Sequence, residues 1–121
     1  MGPFRWITAL LYPRSPEQST RVGAGDECIR CIRPDGRVDA VAWSDLQTVS
    51  VETNDAGPFV EDVYFHLEGS EYGFYVPQAA EGTDELVRRL TELPGFDSEA
   101  FLAAMRSTAN ERFICWRRGR V

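Results

Sequence analysis

The chain has no lysine: all thirteen of its basic residues are arginine. Where bases are missing matters more than which base is used. Residues 38–87 hold eleven carboxylates and not one base, whereas residues 1–37 carry six Arg against four acids and residues 88–121 seven Arg against four. The net charge is −6. An acidic centre of this length repels a phosphate backbone, and it cannot supply the basic pocket an anionic lipid headgroup needs. Nucleic acid and membranes are therefore not expected as partners. The basic end, with Arg112, Arg117, Arg118 and Arg120, reads as a solvated tail that offsets the acidic middle.

Other absences narrow the choice further. No apolar run approaches the roughly 20 residues of a membrane helix. The stretch Met1 to Tyr12 has one arginine and no small-residue cleavage site, unlike a secretory signal. Three cysteines are an odd number, and in a chain read as cytoplasmic they are expected to be reduced thiols. A single histidine, His66, and no serine in a G-x-S-x-G setting leave no Ser-His-Asp triad. Gly23-Ala24-Gly25-Asp26 is glycine-rich but lacks the Lys-Ser/Thr that cradles phosphate.

What is present describes a folded domain. Apolar residues make up 43% of the 121 and aromatics 12%, enough for a single core without staples. Residues 1–25 are expected to be a loosely attached N-terminal segment, since Pro13 to Asp26 reads as a mobile connection. Residues 26–121 are expected to form a single α+β domain.

Cys28–Arg33 is strand-like, and Pro34-Asp35-Gly36-Arg37 is a hairpin turn, because glycine accepts positive φ without steric cost. Val38–Trp43 returns, Ser44-Asp45 interrupts, and Leu46–Thr53 makes a third strand. In Asp62–Glu68, Val63, Phe65 and Leu67 share one face while Tyr64, His66 and Glu68 share the other, the alternation of a half-buried antiparallel strand. Tyr72–Val76 is a fifth strand. The period then changes to 3.6: Thr83-Asp84-Glu85 predicts a capped helix start with Leu86, Val87, Leu90 and Leu93 on its apolar stripe. Asp97 or Ser98 caps a second helix with Phe101, Leu102 and Met105 as its apolar positions, and Arg112–Arg117 is a last strand. Together these predict a strongly twisted, antiparallel, five- to six-stranded sheet or partial barrel with two C-terminal helices on one face.

Few residues carry chemistry. Cys28 and Cys31 form a C-x-x-C that could reach a zinc set only with Cys115 and His66. On a strand, however, residues i and i+3 point to opposite faces, so both thiols are read as core or half-buried. No cofactor or metal is expected. The connection 53–62 is richer than a hairpin needs, with Asn54, Asp55, Gly57, Pro58, Phe59, Glu61 and Asp62. An apolar ring inside an acidic rim is the anatomy of a contact patch, although Phe59 could equally fold back as the loop's own plug. Asn54, Asp55, Phe59, Glu61 and Asp62 are accordingly the candidate binding residues, and no catalytic residue is assigned. Tyr64, Tyr75, Trp43 and Trp116 read as core or half-core.

The strand-turn-strand followed by Val41-Ala42-Trp43-Ser44-Asp45-Leu46 resembles the small pleckstrin-homology-like domains of bacteria. Gly57–Val63, Leu93–Asp97 and Phe113–Trp116 resemble segments of a group of uncharacterised bacterial proteins. The likeness covers about half the chain, and a second helix and a further strand depart from the pleckstrin-like pattern. It implies a scaffold for binding rather than a reaction.

The sequence thus points to a non-enzymatic protein-interaction module, of immunity or inhibitor type, binding a protein with a basic surface through the acidic loop. The alternative is a small enzyme or small-molecule- or metal-binding protein using Glu61, Asp62 and His66. A homodimer through an exposed sheet edge or the N-terminal segment is a third possibility.

Overall fold

The structure is a computed structural model that describes residues 19–55 and 63–119. Among these residues, seven strands and two helices follow one another as β1 (Arg21–Ala24), β2 (Cys28–Ile32), β3 (Val38–Ala42), β4 (Thr48–Thr53), β5 (Val63–Glu68), β6 (Gly73–Pro77), α1 (Thr83–Thr91), α2 (Ser98–Arg106) and β7 (Glu111–Arg117). The β2–β3 hairpin turns where Asp-Gly predicts it. Gly36 takes φ 89°, and its N–H donates to the Arg33 carbonyl at 2.9 Å. Asp35 Oδ1 accepts from the Arg37 N–H at 2.9 Å, so the acidic side chain holds the exit from the turn.

The α+β class holds, but the single sheet does not. The strands divide into an antiparallel three-stranded sheet, β1-β2-β3, and an antiparallel four-stranded sheet, β6-β5-β4-β7. A 3₁₀ turn over Trp43–Asp45 divides them. The Trp43 N–H donates to Glu27 O and ends the first ladder, and the Gln47 N–H donates to Glu68 O and begins the second. Leu46, fully buried between them, pins the crossing. β4 then takes β5 on one side and the last strand, β7, on the other, so β3 and β4 never pair.

The predicted loose segment 1–25 also meets a correction at its end. Residues 21–24 are β1, paired with β2 from Arg21↔Ile32 to Ala24↔Ile29. Its outer edge is held by Glu81, whose carbonyl accepts from the Val22 N–H at 2.8 Å and whose N–H donates to Thr20 O at 3.0 Å. Glycine at positions 23 and 25 gives this stretch little strand propensity, and tertiary pairing overrides it. Residues 1–18 lie outside the described residues.

Both sheets and both helices contribute to one hydrophobic core. It includes Ile29, Cys31 and Val41 from the first sheet and Val49, Val51, Phe65, Leu67 and Val76 from the second, with Leu86, Leu90 and Ala104 from the helices. The helices do not share one face: α1 packs on β1, whereas α2 packs on β7 and β4. Thr83 does not cap α1 with its hydroxyl. Its Oγ1 donates backwards to Gln78 O and Ala80 O, and the N-cap position falls to Gly82 at φ 97°. Asp97 does cap α2, accepting from the Ala100 N–H at 3.0 Å. Phe101 stacks on Phe65, while Leu102, expected inside, is 52% exposed; its helical position points it away from β7. No helix among the described residues is long and apolar enough to cross a membrane.

Candidate binding face

The five predicted binding residues divide between described and undescribed positions. Asn54 and Asp55 leave the end of β4, whereas Phe59, Glu61 and Asp62 lie outside the described residues. The start of the loop is tethered to the segment ahead of β7. Thr53 Oγ1 donates to Ala109 O at 2.7 Å, and the Asp55 N–H donates to Asn110 Oδ1 at 3.1 Å. The exposed Asp55 carboxylate is thereby carried at the rim of the four-stranded sheet.

That sheet turns one face to the core and the other outward. The register sets His66 between Ser50 of β4 and Tyr75 of β6, and Tyr64 between Glu52 and Pro77. β7 adds Arg112 opposite Glu52 and Ile114 opposite Ser50, past a register shift at Val49/Ser50. Strand alternation therefore brings Ser50, Glu52, Tyr64, His66, Tyr75 and Arg112 onto one outward face. The alternation of β5 already gave Tyr64, His66 and Glu68 in the sequence. Tyr75 and Glu52 were missed as site residues, because their meeting depends on cross-strand register.

These side chains are tied together. Tyr75 Oη donates to Glu52 Oε2 at 3.0 Å, crossing β5, so its ring lies over His66 with centroids 4.5 Å apart. Tyr64 meets the Tyr75 ring edge-to-face at 6.2 Å. Arg112 Nε donates to Ser50 Oγ at 3.2 Å, and its guanidinium lies 3.9 Å from Glu52 and 4.0 Å from Glu68. On the far side, Gly73 leaves room for the imidazole: a Cβ there would stand 2.9 Å from His66 Nε2.

The electrostatics follow from this covering. Burial, then the nearby Arg112 cation, lowers the His66 pKa below its ordinary 6.5, against the opposing pull of Glu52 and Glu68. The ring is therefore neutral at pH 7. Its Nδ1 is buried and has no hydrogen-bond partner among the described residues. Burial first, and then the bond to Glu52, raises the Tyr75 phenol. The imidazole is thus roofed by the Tyr75 ring and walled by the backbone at Gly73.

The remaining sequence candidates fall elsewhere. On β2, Cys31 points into the core and Cys28 is half-buried on the opposite face. Burial raises the Cys31 thiol, and pushes Cys115 up to about 11. No group of three or more His, Cys, Asp or Glu among the described residues is placed to hold a metal ion. Within Trp43-Ser44-Asp45-Leu46, Trp43 Nε1 donates to Gly25 O at 2.7 Å and Arg89 lies over its ring. Asp45 accepts from the Ser70 hydroxyl at 2.7 Å and from the Ser70 N–H at 3.2 Å, holding the β5–β6 turn. These contacts are structural.

Beside the face, along the edge of β6, runs an open groove of about 490 Å³. Arg33, Arg37 and Asp39 of the β2–β3 hairpin form its other wall. Comparison with protein-family models, curated proteins and solved structures finds no match.

Proposed function

We propose that this chain is a non-enzymatic protein-interaction module. Its contact surface is the Tyr64–Tyr75–Glu52 end of the outward sheet face together with the adjoining acidic loop 53–62, and its partner is a protein with a basic surface. The observation that carries this reading is the fixed tyrosine pair beside carboxylates. Tyr75 is 44% exposed, yet its hydroxyl is anchored to Glu52 and its ring is braced by Tyr64 and His66. A rigid, exposed aromatic loses little side-chain entropy on binding and offers its face to a cation. Asp55 adds negative charge at the same end, and Glu52 shares its own with Arg112. The pleckstrin-homology-like strand layout and an immunity or inhibitor role belong to the same proposal.

The test is capture from a bacterial extract at low and high salt with wild type, Tyr75→Ala, Asp55→Ala and Phe59→Ala. The expected result is a basic protein held by wild type, released by salt, and weakened by all three substitutions. Identical captured proteins from wild type and every variant would remove the face and the loop from consideration.

A further inference from the structure

Each of the two sheets has two outer strands, and an outer strand presents backbone N–H and C=O groups that invite another chain. Three of these four edges take a hydrogen bond from another segment within the described residues. Glu81 bonds the backbone of β1 at Val22 and Thr20. On β3, the Tyr72 hydroxyl accepts from the Ala40 N–H at 3.1 Å and donates to Ala40 O at 2.9 Å. On β7, the Cys115 carbonyl accepts from the Asp97 N–H at 2.7 Å.

The fourth edge, β6, is set apart by the open groove that runs along it. Its bonded register is fixed at both ends, where the Gly69 N–H donates to Tyr72 O and the Gln78 N–H donates to Val63 O. With the pairing Leu67↔Phe74 and Phe65↔Val76 between them, antiparallel alternation turns the backbone groups of residues 72, 74, 76 and 78 towards β5. The N–H and C=O of Gly73 and Tyr75 turn outward, as does the Pro77 carbonyl, which also accepts from the Ala80 N–H at 3.0 Å. Neither N–H meets an acceptor among the described residues. Pro77, which has no N–H to offer, sits at a position where none is needed for the ladder.

We propose that β6 is a strand-addition site, taking an extended segment of the partner protein as a fifth, antiparallel strand of the four-stranded sheet. The mode rests on the interaction reading above and adds a backbone docking to it. The groove decides the chemistry of the segment. A residue opposite Tyr75 shares the outward face with the Tyr64–Tyr75 pair and Glu52, so a basic side chain fits there. Its chain neighbours point to the hairpin side, where Arg33 is already paired with Asp39 at 2.8 Å. The Arg37 guanidinium has no ion-pair partner among the described residues. A carboxylate fits on that side. The occupant is thus an extended segment with an Arg or Lys flanked by Asp or Glu, its charges alternating with the pleat.

The probe is the peptide acetyl-Val-Thr-Glu-Arg-Glu-Thr-Val-amide, at up to about 1 mM, followed by amide NMR and hydrogen exchange on the full chain. Two controls carry backbone N-methyl groups, one on the threonine and arginine nitrogens and the other on the two glutamate nitrogens. Added strand pairing should shift the Gly73 and Tyr75 amides and slow their exchange by about tenfold. The first methylated peptide should lose this effect and the second keep it, because only the first blocks N–H groups that face β6. Arg37→Glu should weaken the peptide about tenfold, and replacing its glutamates by arginines should restore binding to that variant.

If both methylated peptides bind alike and move only the Tyr64 and Tyr75 rings, strand addition is wrong and the basic-partner reading stands. If none of the peptides moves any signal on the face, strand addition is wrong, and the extract experiment alone decides the broader reading. Slow Gly73 and Tyr75 exchange in the free protein, as monomer or dimer, would also overturn the proposal, since the chain itself would then occupy the edge.

Discussion

The Tyr75 hydroxyl on β6 reaches over β5 to the Glu52 carboxylate on β4, 3.0 Å away. One hydrogen bond thereby lays an aromatic ring across the sheet and roofs the only histidine of the chain. Tyr75→Ala should uncover His66 and raise its midpoint towards 6.5, while Tyr75→Phe keeps the ring and should move it less. One-dimensional NMR titration of the single imidazole reads this directly. An unchanged midpoint in Tyr75→Ala would show that burial under this ring is not the cause of the shift.

The same shift has a sign for stability. The His66 pKa is lower folded than unfolded, so near pH 6 the unfolded chain binds more protons and stability rises with pH. The contribution is complete above about 6.5 and is lost as pH falls towards the folded value. His66→Gln should therefore flatten the dependence of melting temperature on pH between about 7 and 5. Asp45 acts lower down: the bonds from Ser70, side chain first and backbone second, depress its pKa. Its contribution is present above the ordinary carboxylate value of 3.8 and is lost below it. Asp45→Asn should blunt the acid limb alone.

Gly82 stands in the left-handed region at φ 97°, where a side chain is strained. A Cβ there would also run into the Val22 carbonyl oxygen, next to the bond by which Glu81 closes β1. Gly82→Ala should cost about 2 kcal/mol or more in urea unfolding. Gly36→Ala makes the control, since it shares the positive φ with nothing within 4 Å; it should cost about 1 kcal/mol.

Phe65 is 1% exposed and stacks on Phe101 with centroids 6.5 Å apart, joining α2 to the sheet. Phe65→Ala should lose about 3–5 kcal/mol, the cost of a large core cavity. Equilibrium unfolding measures it.

Thiol accessibility separates the three cysteines. Cys31 and Cys115 are buried with raised pKa values, so their reactive thiolate fraction is small at pH 8. A disulfide reagent should modify Cys28 in the native state and the other two only on unfolding. Fast reaction of all three would contradict the burial of β2 and β7.

The sequence by itself determined most of the elements and their inner faces. Period-two alternation in β5, the Asp-Gly turn between β2 and β3, the switch to a 3.6 period at α1 and the Asp97 cap are all local, and local signals survive folding unchanged. The acidity of residues 38–87 is equally fixed by composition. Tertiary structure decided what depends on partners distant in the chain. Gly23 has no strand preference of its own, yet β1 forms because β2 and Glu81 supply its hydrogen bonds. Nothing near Trp43 announces that β3 and β4 part company there, since the split follows from β7 returning to pair with β4. Tyr75, read as a half-core residue, became the centre of the candidate face only because the register aligned it with His66 and left Glu52 within reach of its hydroxyl. A strand's alternation can be read from its own residues. Which edge stays open depends on what every other segment has already covered.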